Sequence, residues 1–102
     1  MYQSKFMNEH TDMLVEALLK MENKEECYRF LEDLLTIREM EDLSQRLQVA
    51  KLLTEKITYT DITQKTGASS ATIGRVNRAL MYGADGYKIV LNKLKDTGEI
   101  DD

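Results

Sequence analysis

Apolar residues recur along this chain at spacings of three and four, and six helices can be placed on that pattern. The first, over residues 11–21 with Asn8 as a possible earlier cap, carries Met13, Leu14, Val15, Ala17, Leu18, Leu19 and Met21. These cover far more than one stripe, and a helix apolar nearly all round must be buried on several sides. A chain of 102 residues offers few such sides, so the pattern predicts that a second chain shares this helix. The second helix, residues 24–35, opens on the capping pair Asn23 and Glu26 and turns Cys27, Phe30, Leu31, Leu34 and Leu35 inward. Thr36 and Glu39 form a T-x-x-E capping box ahead of a long third helix. Met40, Leu43, Leu47, Ala50 and Leu53 line it, Val49 and Leu52 widen its face, and it should end near Glu55 and Lys56.

The segment 58–80, TYTDITQKTGASSATIGRVNRAL, predicts two short helices meeting at Gly67. Residues 59–66 make the first, with Ile62 inward, and Gly67 supplies a left-handed turn that a side chain would resist. Ser69 and Ser70 can each cap the second helix. Ile73, Val76 and Leu80 then fall on one buried face, leaving Ser70, Ala71, Gly74 and Arg75 outside. So short and polar a helix start suits entry into a DNA major groove. The pattern is that of a helix-turn-helix, although Thr63 stands where a small Ala or Gly is common and Thr66 where an aliphatic residue usually packs. After a turn over 81–86, marked by Gly83, Asp85 and Gly86, a last helix over 87–95 faces inward through Tyr87, Val90, Leu91 and Leu94. Residues 96–102 read as a polar, frayed tail.

Charge strengthens the nucleic-acid reading. The chain as a whole is acidic, at −4, but residues 44–80 hold six basic side chains (Arg46, Lys51, Lys56, Lys65, Arg75, Arg78) against Glu55 and Asp61, a net of +4. Residues 1–43 carry −6 and residues 81–102 carry −2. Positive charge is thus concentrated at the corner, as phosphate contact requires. With no proline and an apolar set rich in Leu, Ile and Met, the chain reads as one all-helical domain over residues 1–102. A single cysteine suits a reducing compartment, and neither a secretory leader nor an apolar run of roughly 20 residues is evident. The expected location is the cytoplasm, on the nucleoid when DNA is bound.

Other chemistry has little to stand on. His10 is the sole histidine and Cys27 the sole cysteine, so no metal site is expected. The neighbouring acids Glu25-Glu26 and Glu39, Glu41 and Asp42 read as solvated helix faces, and YGADGY follows no strand and is not a phosphate loop. The sequence assigns no catalytic residue and no cofactor.

Gly67-Ala68, Ala71-Thr72-Ile73, Arg75, Asn77 and Leu80 resemble the G-A-x-x-A-T-I-x-R-x-N-x-x-L run of the Trp repressor superfamily, in its YerC/YecD-type branch. Leu34-Leu35-Thr36 and Arg46 fall at further family positions, so the close match covers residues 34–80 and helix order extends it to residue 95. The resemblance implies a six-helix, all-α, intertwined homodimer. It makes residues 1–57 the dimerisation helices, 58–80 the helix-turn-helix and 87–95 a C-terminal packing helix. It also implies that Thr36, Arg46, Thr72 and Arg75 face a ligand cleft. In tryptophan-responsive members a Gly stands at the position of Val76 and a Ser at that of Ala79, so a tryptophan co-repressor is not expected here.

The resulting expectation is a homodimeric regulator of transcription, a repressor by family type, that reads a pseudo-palindromic operator in double-stranded DNA. Ser70, Ala71 and Gly74 are assigned to base edges, with Ala71 able to meet a thymine methyl. Thr60, Lys65, Ser69 and Arg78 are assigned to phosphates. The rival readings are a helical homodimer that docks on another regulator, and a sensor of an unknown small molecule.

Overall fold

The computed structural model describes residues 2–101. They form six helices and, among the described residues, no strand: α1 (Glu9–Leu19), α2 (Lys24–Leu34), α3 (Ile37–Thr54), α4 (Tyr59–Thr66), α5 (Ser70–Tyr82) and α6 (Gly86–Asp96). The chain divides into two compact units, Met1–Met40 and Glu41–Asp102, with the boundary inside α3. No helix among the described residues is long and apolar enough to cross a membrane.

In the N-terminal unit, α1 starts at Glu9 rather than at residue 11, because Asn8 is its cap. The Asn8 side-chain oxygen accepts the N–H groups of His10 at 2.8 Å and Thr11 at 2.9 Å, and the Thr11 hydroxyl accepts the Asn8 N–H in return. The helix stops at Leu19, short of residue 21, where the N–H groups of Lys20 and Met21 switch to the carbonyls of Ala17 and Leu18 three residues back. Asn23 caps α2 by accepting the Glu26 N–H at 2.9 Å, while the Glu26 carboxylate reaches one residue further back, to the N–H of Glu22. Thr36 and Glu39 make the capping box at the head of α3, with bonds of 2.8 and 3.1 Å. The Thr36 N–H and hydroxyl hold the Glu39 carboxyl below its ordinary value. A depressed value means that this contribution is present above the unfolded glutamate range and fades as pH falls through the folded one.

Neither α1 nor α2 has a buried residue. Met13 is 75% and Leu19 72% exposed, and Leu14, Val15 and Leu18 also lie open. Cys27, expected on an inner face, is exposed as well. Of the apolar face that periodicity assigns to α2, Phe30, Leu31 and Leu35 are half-buried, while Cys27 and Leu34 stay exposed within one chain.

The C-terminal unit contains the core. Val49, Ala50 and Leu52 of α3, Ile62 of α4, Ala68, then Ile73, Val76 and Leu80 of α5 and Leu91 of α6 form one buried cluster. Leaving α3, Lys56 adopts φ 65°, so that its N–H meets the Leu53 carbonyl and the Ile57 N–H meets the Leu52 carbonyl. This is a Schellman turn, and it lays Ile57 on the core.

Three further helix ends, all in the C-terminal unit, differ from those expected. Helix α5 runs past residue 80 to Tyr82, and Gly83 closes it, its N–H bonding the Ala79 carbonyl at 2.9 Å. A Cβ on Gly83 would stand 2.4 Å from that carbonyl oxygen. Helix α6 occupies Gly86–Asp96 instead of 87–95, entered through Asp85 at φ 65°. The tail is also more ordered than its polarity implies. Gly98 at φ 83° lets the Gly98 and Glu99 N–H groups bond the Lys95 and Leu94 carbonyls, and Ile100 packs against the core. One apolar residue in the right turn is sufficient to anchor it.

Because Lys56 occupies left-handed space that costs a side chain energy, Lys56→Gly should stabilise the protein by about 1 kcal/mol. Gly83→Ala should destabilise it by about 1–3 kcal/mol, since the new methyl has to displace backbone. Denaturant melts at a fixed protein concentration check both signs.

Candidate nucleic-acid interface

The corner is built from local hydrogen bonds around a small buried centre. Thr58 caps α4 by accepting the Asp61 N–H at 3.2 Å, and α4 ends on Gly67, whose φ of 75° reverses the chain. Ser69, not Ser70, caps α5, accepting the Thr72 N–H at 3.1 Å, so Ser70 becomes the first residue of the helix. Ile62, Ala68 and Ile73 are 0–1% exposed and join the two helices to the core cluster. With these residues inside, the opposite surface is fixed outward.

That surface carries the residues assigned to DNA. Thr60, Lys65, Ser69, Ser70, Ala71 and Arg78 are exposed, as is Arg75, and Gly74 is half-buried. A Cβ placed on Gly74 would meet nothing within 4 Å, so the space over it is open. The first turn of α5 has no acidic residue to offset its N-terminal partial charge. Among the described residues, Arg46, Lys56, Lys65, Arg75 and Arg78 make no ion pair, whereas Lys51 is held by Glu55 at 2.8 Å. Most of the local positive charge is therefore available to an external anion.

The residues assigned to a ligand cleft have different settings. Thr36 lies in the N-terminal unit, where its hydroxyl is committed to the cap of α3. Arg46 and Arg75 are exposed, while half-buried Thr72 shares a 3.2 Å contact with the Ser69 hydroxyl. Val76 is only 4% exposed and belongs to the core. Ala79 borders an apolar hollow of about 460 Å³ with Leu47, Ala84, Gly86, Tyr87 and Val90. Among the described residues no group of three His, Cys, Asp or Glu side chains is arranged to hold a metal.

Two residues that shape the corner carry no mark in the sequence pattern strong enough to assign them. The Thr66 hydroxyl donates to the Ile62 carbonyl at 2.7 Å and accepts the Ala68 N–H at 3.1 Å. Gln45 of α3 donates its side-chain amide to the Thr66 carbonyl at 3.1 Å. The signal for the first was Thr66 itself, a polar residue at a position that is usually aliphatic. No periodicity points to Gln45.

Comparison with known proteins agrees with this geometry. The chain is 47% identical over 93 residues to the uncharacterized protein YerC of Bacillus subtilis (strain 168), covering 91% of this chain and 89% of that one. Its fold is similar to that of a crystallised Trp-repressor candidate from Staphylococcus aureus, with a TM-score of 0.84 and 48% identity over 88% of this chain and 90% of the other. It is equally similar to a TrpR-like protein from Eubacterium eligens ATCC 27750, with a TM-score of 0.84 and 50% identity over 88% and 93% of the two chains. The family model described as Trp repressor protein matches residues 9–95, and the chain belongs to that family.

Proposed function

We propose that this protein is a sequence-specific regulator of transcription, a repressor by family type, that binds a pseudo-palindromic operator in double-stranded DNA as a homodimer. The observation that carries the proposal is the exposed start of α5. Short residues and an open glycine stand where a base edge would approach, and cations without intrachain partners flank them. Ser70, Ala71 and Gly74 approach the bases, with the Ala71 methyl suited to thymine. Thr60, Lys65, Ser69 and Arg78 meet phosphates, which position the protein without choosing a sequence. Such work places the protein in the cytoplasm, on the nucleoid.

The homodimer reading is supported by the N-terminal unit. Two helices with no buried residue and several open Leu, Val and Met side chains expose more apolar surface than a lone chain ordinarily presents to water. A second copy sharing α1 and α2 would cover it, and folding and association would then be one event. Two corners related by a twofold axis would enter successive major grooves about 34 Å apart.

Binding should fall steeply as salt rises, because every neutralised phosphate releases condensed counterion. Arg78→Ala or Lys65→Ala should weaken binding to all sequences alike, and each phosphate left without its cation should lower the salt slope by roughly 1. Gel retardation of mixed genomic fragments over a salt series reads both effects. Failure to retard any DNA even at low ionic strength would favour a module that docks on another protein.

L-Tryptophan is not the effector in this reading. Val76 fills core volume where tryptophan-responsive relatives have Gly, and Ala79 lacks a hydroxyl to hold the polar end of an amino acid. An unmade buried hydrogen bond costs about 1–3 kcal/mol, and a packed wall yields little extra volume. Calorimetric titration with tryptophan, with and without operator DNA, should show no micromolar binding. Micromolar binding coupled to tighter DNA affinity would show this assignment of Val76 and Ala79 to be wrong.

A further inference from the structure

The corner turns on Gly67, and a Cβ placed there would meet no atom within 4 Å other than its chain neighbours. A glycine in open space does not by itself hold one geometry. The turn is held by the Gly67 N–H bond to the Thr63 carbonyl, by the buried Ile62, Ala68 and Ile73 on either side of it, and by polar bonds from Thr66 and Gln45. The Thr66 hydroxyl spans Gly67, from the Ile62 carbonyl behind it to the Ala68 N–H ahead. The Thr66 carbonyl, at the end of α4 where the helix supplies no further donor, is taken up by Nε2 of half-buried Gln45 at 3.1 Å. Two residues beyond Ala68, α5 begins, so the path from α3 to the outward face runs through Gln45, Thr66 and the Ser69 cap.

We propose that Gln45 is a positioning residue for DNA recognition, fixing the start of α5 against α3 through the Thr66 carbonyl and thereby setting sequence discrimination rather than overall affinity. This inference rests on the DNA-binding reading of the corner. Long Lys65 and Arg78 side chains can follow a phosphate if the helix tilts. Ser70, Ala71 and Gly74 are too short to do so, and a shift of about 1 Å moves them out of reach of a base edge. Removing the latch should therefore fall on the base contacts and spare the phosphate contacts.

Gln45→Met keeps the length and the apolar stem but has no donor. Gln45→Lys restores a donor of similar reach, and its added charge acts on all DNA alike. Affinity is measured for two probes: a fragment that the native protein selects from random-sequence DNA, and a scrambled fragment of equal length. With Gln45→Met the ratio of the two affinities should fall roughly fivefold, with scrambled-fragment binding unchanged and the thermal midpoint lowered by no more than the few degrees that one lost hydrogen bond accounts for. Amide exchange at Gly67 and Ala68 should quicken, and Gln45→Lys should recover both the ratio and the protection. Quicker exchange with an unchanged ratio would overturn the proposal, leaving the bond purely structural. Unchanged exchange would show that no latch exists, and equal weakening on both fragments would show that Gln45 serves affinity instead. Should the native protein select no fragment from random-sequence DNA and retard none at low salt, the DNA-binding reading itself fails, and the proposal with it, without reference to any variant.

Discussion

Burial of Ile62, Ala68 and Ile73 in one cluster with Val49 and Ala50 is the interaction on which the rest of the structure depends. Each fully buried isoleucine contributes roughly 1.5–3 kcal/mol, but the directional consequence matters more here. A helix as short as α4, Tyr59–Thr66, is marginal on its own and persists because Ile62 is held inside. Once Ile73, Val76 and Leu80 face inward, Ser70, Ala71 and Arg75 must face out. The candidate interface is the geometric complement of the core, and the Ser69 cap and Gly67 turn adjust its edge.

The two halves of the chain offset the entropy of ordering in different ways. Residues 41–102 bury a cluster of their own, closed by Ile57 and Ile100 through two Schellman turns. Residues 2–40 are also helical and well capped, yet bury nothing in α1 or α2. Caps and local bonds of this kind are worth about 1 kcal/mol each and do not offset an open apolar face. The proposed homodimer would resolve that imbalance by shared burial, and it would also supply two corners for two half-sites.

Much of this was legible in the sequence, because helical period and capping chemistry are local. The six helices, the Thr36–Glu39 box, the turn at Gly67 and the inward set Ile62, Ile73, Val76 and Leu80 all follow from residues within a few positions of one another. Helix ends were less legible, since α1 ends where backbone N–H groups change partners rather than where polarity changes, and α5 keeps its helical bonds up to the Gly83 N–H. Periodicity placed Cys27 on an apolar face but could not say whether that face is covered within one chain. Composition made residues 96–102 look frayed, although a single turn at Gly98 brings Ile100 to the core. The bond from Gln45 to Thr66 spans 21 positions between two polar residues and leaves no periodic trace.

The most direct test of the account is a hydroxyl-radical footprint on the fragment that the protein selects from random-sequence DNA. A homodimer reading through two α5 helices should protect two symmetric patches whose centres lie one helical turn apart, about 34 Å. Arg78→Ala should weaken both patches equally. A single asymmetric patch, or uniform protection with no selected sequence, would contradict the account.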